Sequence, residues 1–311
     1  MLETVASCAL TVSETAVIKK NRLLPRQDFE EQKRIAIVSG THGDELEGQY
    51  VCYELIRRIS GEMSSLNGIA DIYPMLNPLG ADGITRRIPM YDIDMNRIFP
   101  GNDSGTPWES MAKKVFEDIS GADLCIDIHS SDIFLREIPQ VRISPDQSLK
   151  LLPYAKLMNV DFVWVGNSSA VRPSSLAHSL NTAGTPCLVV EMGAGMKITK
   201  EYGNRIIEGI FAVMAKMGIW TGRVQEVSNP IVSSDGEVTY IHCNKSGVFV
   251  PLIRNWIGIC EGEHIGDIIN VFTGEVEEEI TSPVSGMVFT LREYPVVSDG
   301  SLIARILGGG R

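Results

Sequence analysis

A short apolar run, Ile35-Ala-Ile-Val38, leads into a polar turn, Ser-Gly-Thr-His-Gly-Asp-Glu, and then into helical periodicity from about Leu46 to Ile59. This strand–turn–helix unit restricts the chain more than any other feature. An unbroken apolar run of this length reads as a strand buried on both faces, and such strands belong to parallel sheets covered by helices. In open α/β sheets ligands gather beyond the carboxyl ends of the strands, which is where this turn lies. His42 and Glu45 stand three residues apart in it, close enough for an imidazole nitrogen and a carboxylate to converge on one cation. A second apolar strand, Asp123-Leu-Cys-Ile-Asp-Ile-His129, ends in another histidine. His42, Glu45 and His129 form a His₂Glu set, the ligand choice of catalytic zinc that keeps one position open for water. One divalent ion per chain is expected. Asp127 lies two residues before His129, so it shares its face of the strand and is placed to take the ring N–H.

Thr185-Pro-Cys-Leu-Val-Val-Glu191 is a third buried strand, ending in a carboxylate ahead of Gly193 and Gly195. Burial there should raise the pKa of Glu191 and suit it to general-base work. Between a second strand at 70–77 and a helix beginning near Glu109 runs an irregular passage from Gly80 to about Pro107. Connections of that length are uncommon unless they are functional. It gathers Arg86, Arg87, Asn96 and Arg97 in an otherwise acidic chain. Arginine forks bind carboxylates, Asn96 adds amide donors, and one arginine near the metal could stabilise an oxyanion. Ion pairs to Asp92 and Asp94 would account for only part of this set.

Several classes are excluded. Gly40-Thr-His-Gly43 lacks the lysine of a phosphate loop and sets Asp44 and Glu45 where a phosphate would sit, and no G-x-S-x-G elbow is present. A net charge of -11 argues against a nucleic-acid or anionic-membrane surface. No run approaches the ~18 apolar residues of a membrane span. The first residues lack a basic n-region, so the cytoplasm is expected. The six cysteines include no C-x-x-C pair and read as reduced and structural. From Thr221 onward strand-like runs recur between glycines with no helical pattern. The expected architecture is therefore an α/β domain over 1–222, with a mostly parallel or mixed central sheet and helices on both faces, followed by a small all-β domain over 223–311.

Four segments in order, H-G-D-E at 42–45, D-M-N-R-I-F-P-G at 94–101, D-I-H-S at 127–130 and V-V-E-M-G at 189–193, resemble the succinylglutamate desuccinylase/aspartoacylase family of the zinc carboxypeptidase-like fold group. The resemblance implies His42, Glu45 and His129 as zinc ligands and Glu191 as the catalytic carboxylate. It implies Arg87 as the oxyanion arginine, with Arg86 as competitor, and Asn96 and Arg97 as holders of a substrate carboxylate. The family's arginine after Ser174-Ser-Leu is replaced by Ala177, for which Arg172 is a candidate substitute. The C-terminal part resembles a lipoyl or biotinyl carrier domain, yet 272–280 has no carrier lysine. Arg292 and Tyr294 are its candidates for reaching the substrate. The expected activity is metal-dependent hydrolysis of the amide bond of a small anionic N-acylated substrate, with no nucleic-acid or membrane partner and with a homo-oligomer left open. The rivals are a metallocarboxypeptidase acting on short peptides and a non-catalytic binding protein on the same fold.

Overall fold

The computed structural model describes residues 1–26, 32–166, 171–234 and 237–308. Strands β1 (Leu2–Ala9) and β2 (Thr15–Leu23) form a hairpin ahead of β3 (Arg34–Ser39). There follow α1 (Glu47–Gly61), β4 (Ile69–Met75), α2 (Pro78–Gly83), α3 (Pro107–Ile119), β5 (Leu124–Ser130), β6 (Leu135–Ile143), α4 (Ser148–Ala155), β7 (Phe162–Val165), α5 (Leu176–Thr182), β8 (Cys187–Gly193) and α6 (Lys200–Met217). The remaining described elements are all strands: β9 (Ile231–Ser234), β10 (Val238–His242), β11 (Gly247–Pro251), β12 (Ile257–Ile259), β13 (His264–Asn270), β14 (Glu275–Thr281), β15 (Gly286–Arg292), β16 (Val296–Val297) and β17 (Leu302–Leu307).

One large sheet runs β1-β2-β4-β3-β5-β8-β6-β15-β17-β10. Its centre, β4-β3-β5-β8, is parallel, and β2 and β6 flank it antiparallel. The sheet is thus mixed, with helices on both faces as expected. Alternation along each strand assigns the two faces. Ile35, Ile37, Leu124, Ile126, Leu188 and Val190 pack beneath α1, α4 and α6. Ala36, Val38, Cys125, Cys187 and Val189 pack beneath α3 and α5. Local signals agree with these boundaries. Thr106 and Glu109 form a reciprocal cap with Pro107 at the first position of α3, and Gly218 closes α6 at φ 78°.

The N-terminal hairpin forms one end of the large sheet. Its exposed–buried alternation is that of an edge, and β2 pairs with β4. The C-terminal strands contribute to two sheets. β10, β12, β15 and β17 continue the large sheet, while β14-β13-β11-β16 form a four-stranded sheet. Ile241, Phe249, Ile265, Val288 and Ile303 fill the core of this β-rich part. The join is the pairing of β15 with β6, where Thr290 lies opposite Glu137 and Arg292 opposite Leu135. Phe289 packs against Ile138, Phe162 and Trp164 across this seam. Among the described residues, no helix is long and apolar enough to cross a membrane.

Candidate active site

β3 is followed by Gly40, whose φ of 67° turns the chain away from the sheet. At Gly43 a side-chain carbon would fall 2.0 Å from the Gly80 carbonyl carbon, so only glycine lets this turn seat against α2. His42 and Glu45, on either side of that contact, are both buried. β5 lies beside β3 in parallel, and His129 arrives at the same end of the sheet. In the neighbouring strands His129 is opposite Glu191, and Glu191 is opposite Gln140. Opposite residues share a face, so His129, Glu191 and their i−2 neighbours all point toward the α3/α5 side.

One ligand atom from each of His42, Glu45 and His129 lies within 4.8 Å of the other two, so the group could hold a metal ion. The His42 Nδ1 atom is 2.8 Å from Glu45 Oε1 yet makes no hydrogen bond. This nitrogen and the carboxylate face each other at close range, as donors around a cation do. The far nitrogen of each ring is held, His42 Nε2 at 3.1 Å from Asp94 and His129 Nε2 at 3.1 Å from Asp127. Carboxylates behind both imidazoles orient the rings and raise their basicity as ligands. Glu45 also accepts from the backbone N–H of Ser130 at 3.1 Å and from Arg86 Nη1 at 2.7 Å. Burial pushes the Glu45 pKa up, but His42 and His129 outweigh it and hold it well below the usual range. Burial likewise depresses His129, yet Asp127 and Glu45 prevail and hold it well above. Such a cluster keeps protons where a divalent cation would displace them. The donor set therefore fits zinc.

The cluster opens into a cavity of about 260 Å³ whose walls include Arg86, Asn96, Arg97 and Glu191. Burial raises Glu191 to about 7; Arg142 pulls it down, and Glu137 pushes it up. Asn96 Oδ1 accepts from the Leu176 backbone N–H at 2.9 Å, leaving its amino end as the one to offer a ligand. Asn96 N in turn donates to Asp94, which ties this turn to His42.

Arg87 stands apart from the cavity. Its guanidinium pairs with Asp92 at 2.8 Å, is half exposed, and does not line the cavity. The Arg86 carbonyl accepts from Gly43 N and from Asn77 Nδ2, which turns the Arg86 side chain inward and its neighbour outward. Asp94, considered as a partner for arginines, is bonded to His42, while Arg86 and Arg97 help to lower its carboxyl pKa. Arg172 is exposed and outside the cavity. Arg292 and Tyr294 do not line it either; they pack on Phe134, which does. Four charged residues of the cavity wall escaped the sequence: Asp132, Glu137, Arg142 and Arg305. Pro139 hid the first half of β6, because proline within a run argues against a strand. Arg142, in phase with Gln140 and set between Val141 and Ile143, was the available signal.

Residues 31–217 match the model of the succinylglutamate desuccinylase/aspartoacylase catalytic domain. The N-alpha-acetyl-L-2,4-diaminobutyric acid deacetylase of Halomonas elongata is 24% identical over 278 residues, 86% of this chain and 76% of that protein. Among solved structures, a succinylglutamate desuccinylase/aspartoacylase from Rhodobacter sphaeroides superposes with a TM-score of 0.83 at 20% identity, covering 99% of this chain and 95% of that one. The product-bound ectoine utilization protein EutE (DoeB) from Ruegeria pomeroyi gives a TM-score of 0.82 at 19% identity, covering 97% and 92%. At these identities the structural likeness carries the fold.

Proposed function

Because the chain belongs to the succinylglutamate desuccinylase/aspartoacylase family, we propose that it is a zinc-dependent amidohydrolase removing the acyl group from a small N-acylated amino acid. The observation that carries this reading is the convergence of His42, Glu45 and His129 on one wall of a cavity that also contains Glu191, Arg86, Asn96 and Arg97. Zinc held by His42, Glu45 and His129 would act as a Lewis acid on the amide carbonyl and lower the pKa of a water toward ~7. Glu191 takes a proton from the attacking water and returns it to the departing nitrogen. Arg86, the inward arginine, faces the oxyanion. Asn96 and Arg97 hold the substrate carboxylate. A cavity of about 260 Å³ suits a small molecule better than a peptide, which favours deacylation over carboxypeptidase action. Residues 1–222 are the catalytic unit in this reading, and 223–311 complete the cavity wall through Arg305. Six unpaired cysteines suit a cytoplasmic enzyme.

The test is zinc analysis of the purified protein coupled to a panel of N-acetyl, N-succinyl and N-formyl amino acids. Amine release from none of them by zinc-loaded protein would leave a binding role. Arg86→Ala is expected to lower kcat by ~10²–10³, whereas Arg87→Ala should stay near the parent. Equal losses in the two would overturn the choice between them.

The base must be ionised to accept a proton, so its active fraction grows with pH. With Glu191 raised to about 7 by burial, kcat/KM should climb with pH on an acidic limb at or below that value, since bound zinc draws the carboxylate down. A profile flat from about pH 5 to 8 contradicts this assignment.

A further inference from the structure

Glu191 has one ion-pair partner among the described residues, Arg142, whose Nη1 lies 3.4 Å from its Oε1. Arg142 is almost fully buried on β6 and spends the other edge of its fork on Glu137, with Nη2 donating to Oε2 at 2.6 Å. The second oxygen of Glu137 is paired with Arg305 and lies 3.5 Å from the Thr290 hydroxyl. Both guanidinium groups lie over Trp164, at 5.3 Å for Arg142 and 5.9 Å for Arg305. The charges alternate along Arg305–Glu137–Arg142–Glu191. The chain begins on β17, in the β-rich C-terminal part, and ends on the carboxylate assigned as base.

Buried ion pairs of this kind are poor sources of stability, since apolar residues of equal volume serve as well or better. Their value lies in fixed geometry. A planar guanidinium whose two terminal nitrogens each face a buried carboxylate has little freedom to rotate, and one of those carboxylates is Glu191.

We propose that Arg142 is the positioning residue of Glu191, and that Glu137 and Arg305 hold Arg142 in place, so that the C-terminal strands help orient the base. This rests on the reading of Glu191 as the base. In the full-length, zinc-loaded enzyme, Arg305→Gln is expected to lower kcat by ~10-fold or more with KM changed less than about twofold, because misplacing a reacting group affects turnover. Arg305→Lys should recover much of the loss. Arg142→Ala should lose more, and added guanidinium ion, small enough to enter the cavity, should restore part of it.

A rise in KM with kcat intact would make the two arginines substrate contacts and overturn the proposal, as would unchanged kinetics in Arg305→Gln. Independently of turnover, urea midpoints of Arg305→Gln, Glu191→Gln and the double variant should be non-additive, as for members of one network. Strict additivity overturns the coupling. Glu191→Gln by itself separates the two questions: full turnover there removes the base assignment, whatever Arg305 does.

Discussion

Glu191→Gln is expected to abolish turnover, by ~10²–10⁴ in kcat, while the protein still binds one zinc ion. The substitution is nearly isosteric; it removes the ability to take and return a proton, together with the negative charge that faces Arg142. Glu191 is not one of the three clustered ligands, and its strand register against His129 and Gln140 is made by the backbone. The fold and the metal cluster should therefore persist, and the loss should appear in kcat with KM little changed. Full activity in this variant would remove the base from the mechanism. Loss of zinc along with activity would instead make Glu191 part of the metal site.

His129→Ala is expected to lose the metal. Two ligands would remain, and Asp127, fully buried behind the ring, would be left without its partner. Stranding a buried carboxylate in this way typically costs ~3–5 kcal/mol, so lowered stability should accompany the lost metal. His129→Asn keeps a polar partner for Asp127 and separates the two effects. Asp127→Asn provides the scale, because losing the group that orients a ligand costs roughly 10- to 100-fold in metal affinity. Chelator competition should rank the parent first, Asp127→Asn next, and both His129 variants far below. Stoichiometric zinc in His129→Ala would mean that the ligand set is wrong.

These two predictions involve residues that strand patterns singled out directly. Ile35–Val38, Leu124–Ile126 and Cys187–Val190 are apolar runs, each leading within a few residues to polar side chains with chemistry. An apolar run that long has to lie in the middle of a sheet. Parallel neighbours bring their ends to one edge, so local pattern alone puts His42, Glu45, His129 and Glu191 within reach of each other. Asp127 follows from strand phase, two residues before His129.

The choice between Arg86 and Arg87 has no such local determinant. Both stand in an irregular passage, and the inward turn of Arg86 comes from its carbonyl being bonded by Gly43 and Asn77, residues from two other segments. The Glu137–Arg142–Arg305 chain is still less local. It exists because β15 pairs with β6 and β17 with β15, carrying Arg305 across 168 residues of sequence to Glu137. Alternating hydrophobicity states that a strand has a buried face without stating which strand lies beside it. The amino-acid sequence thus determined the class of sheet, the strand ends and the chemistry standing on them. Pairing partners and the direction of side chains in irregular backbone were decided only in the tertiary structure, because they depend on hydrogen bonds between segments far apart in the chain.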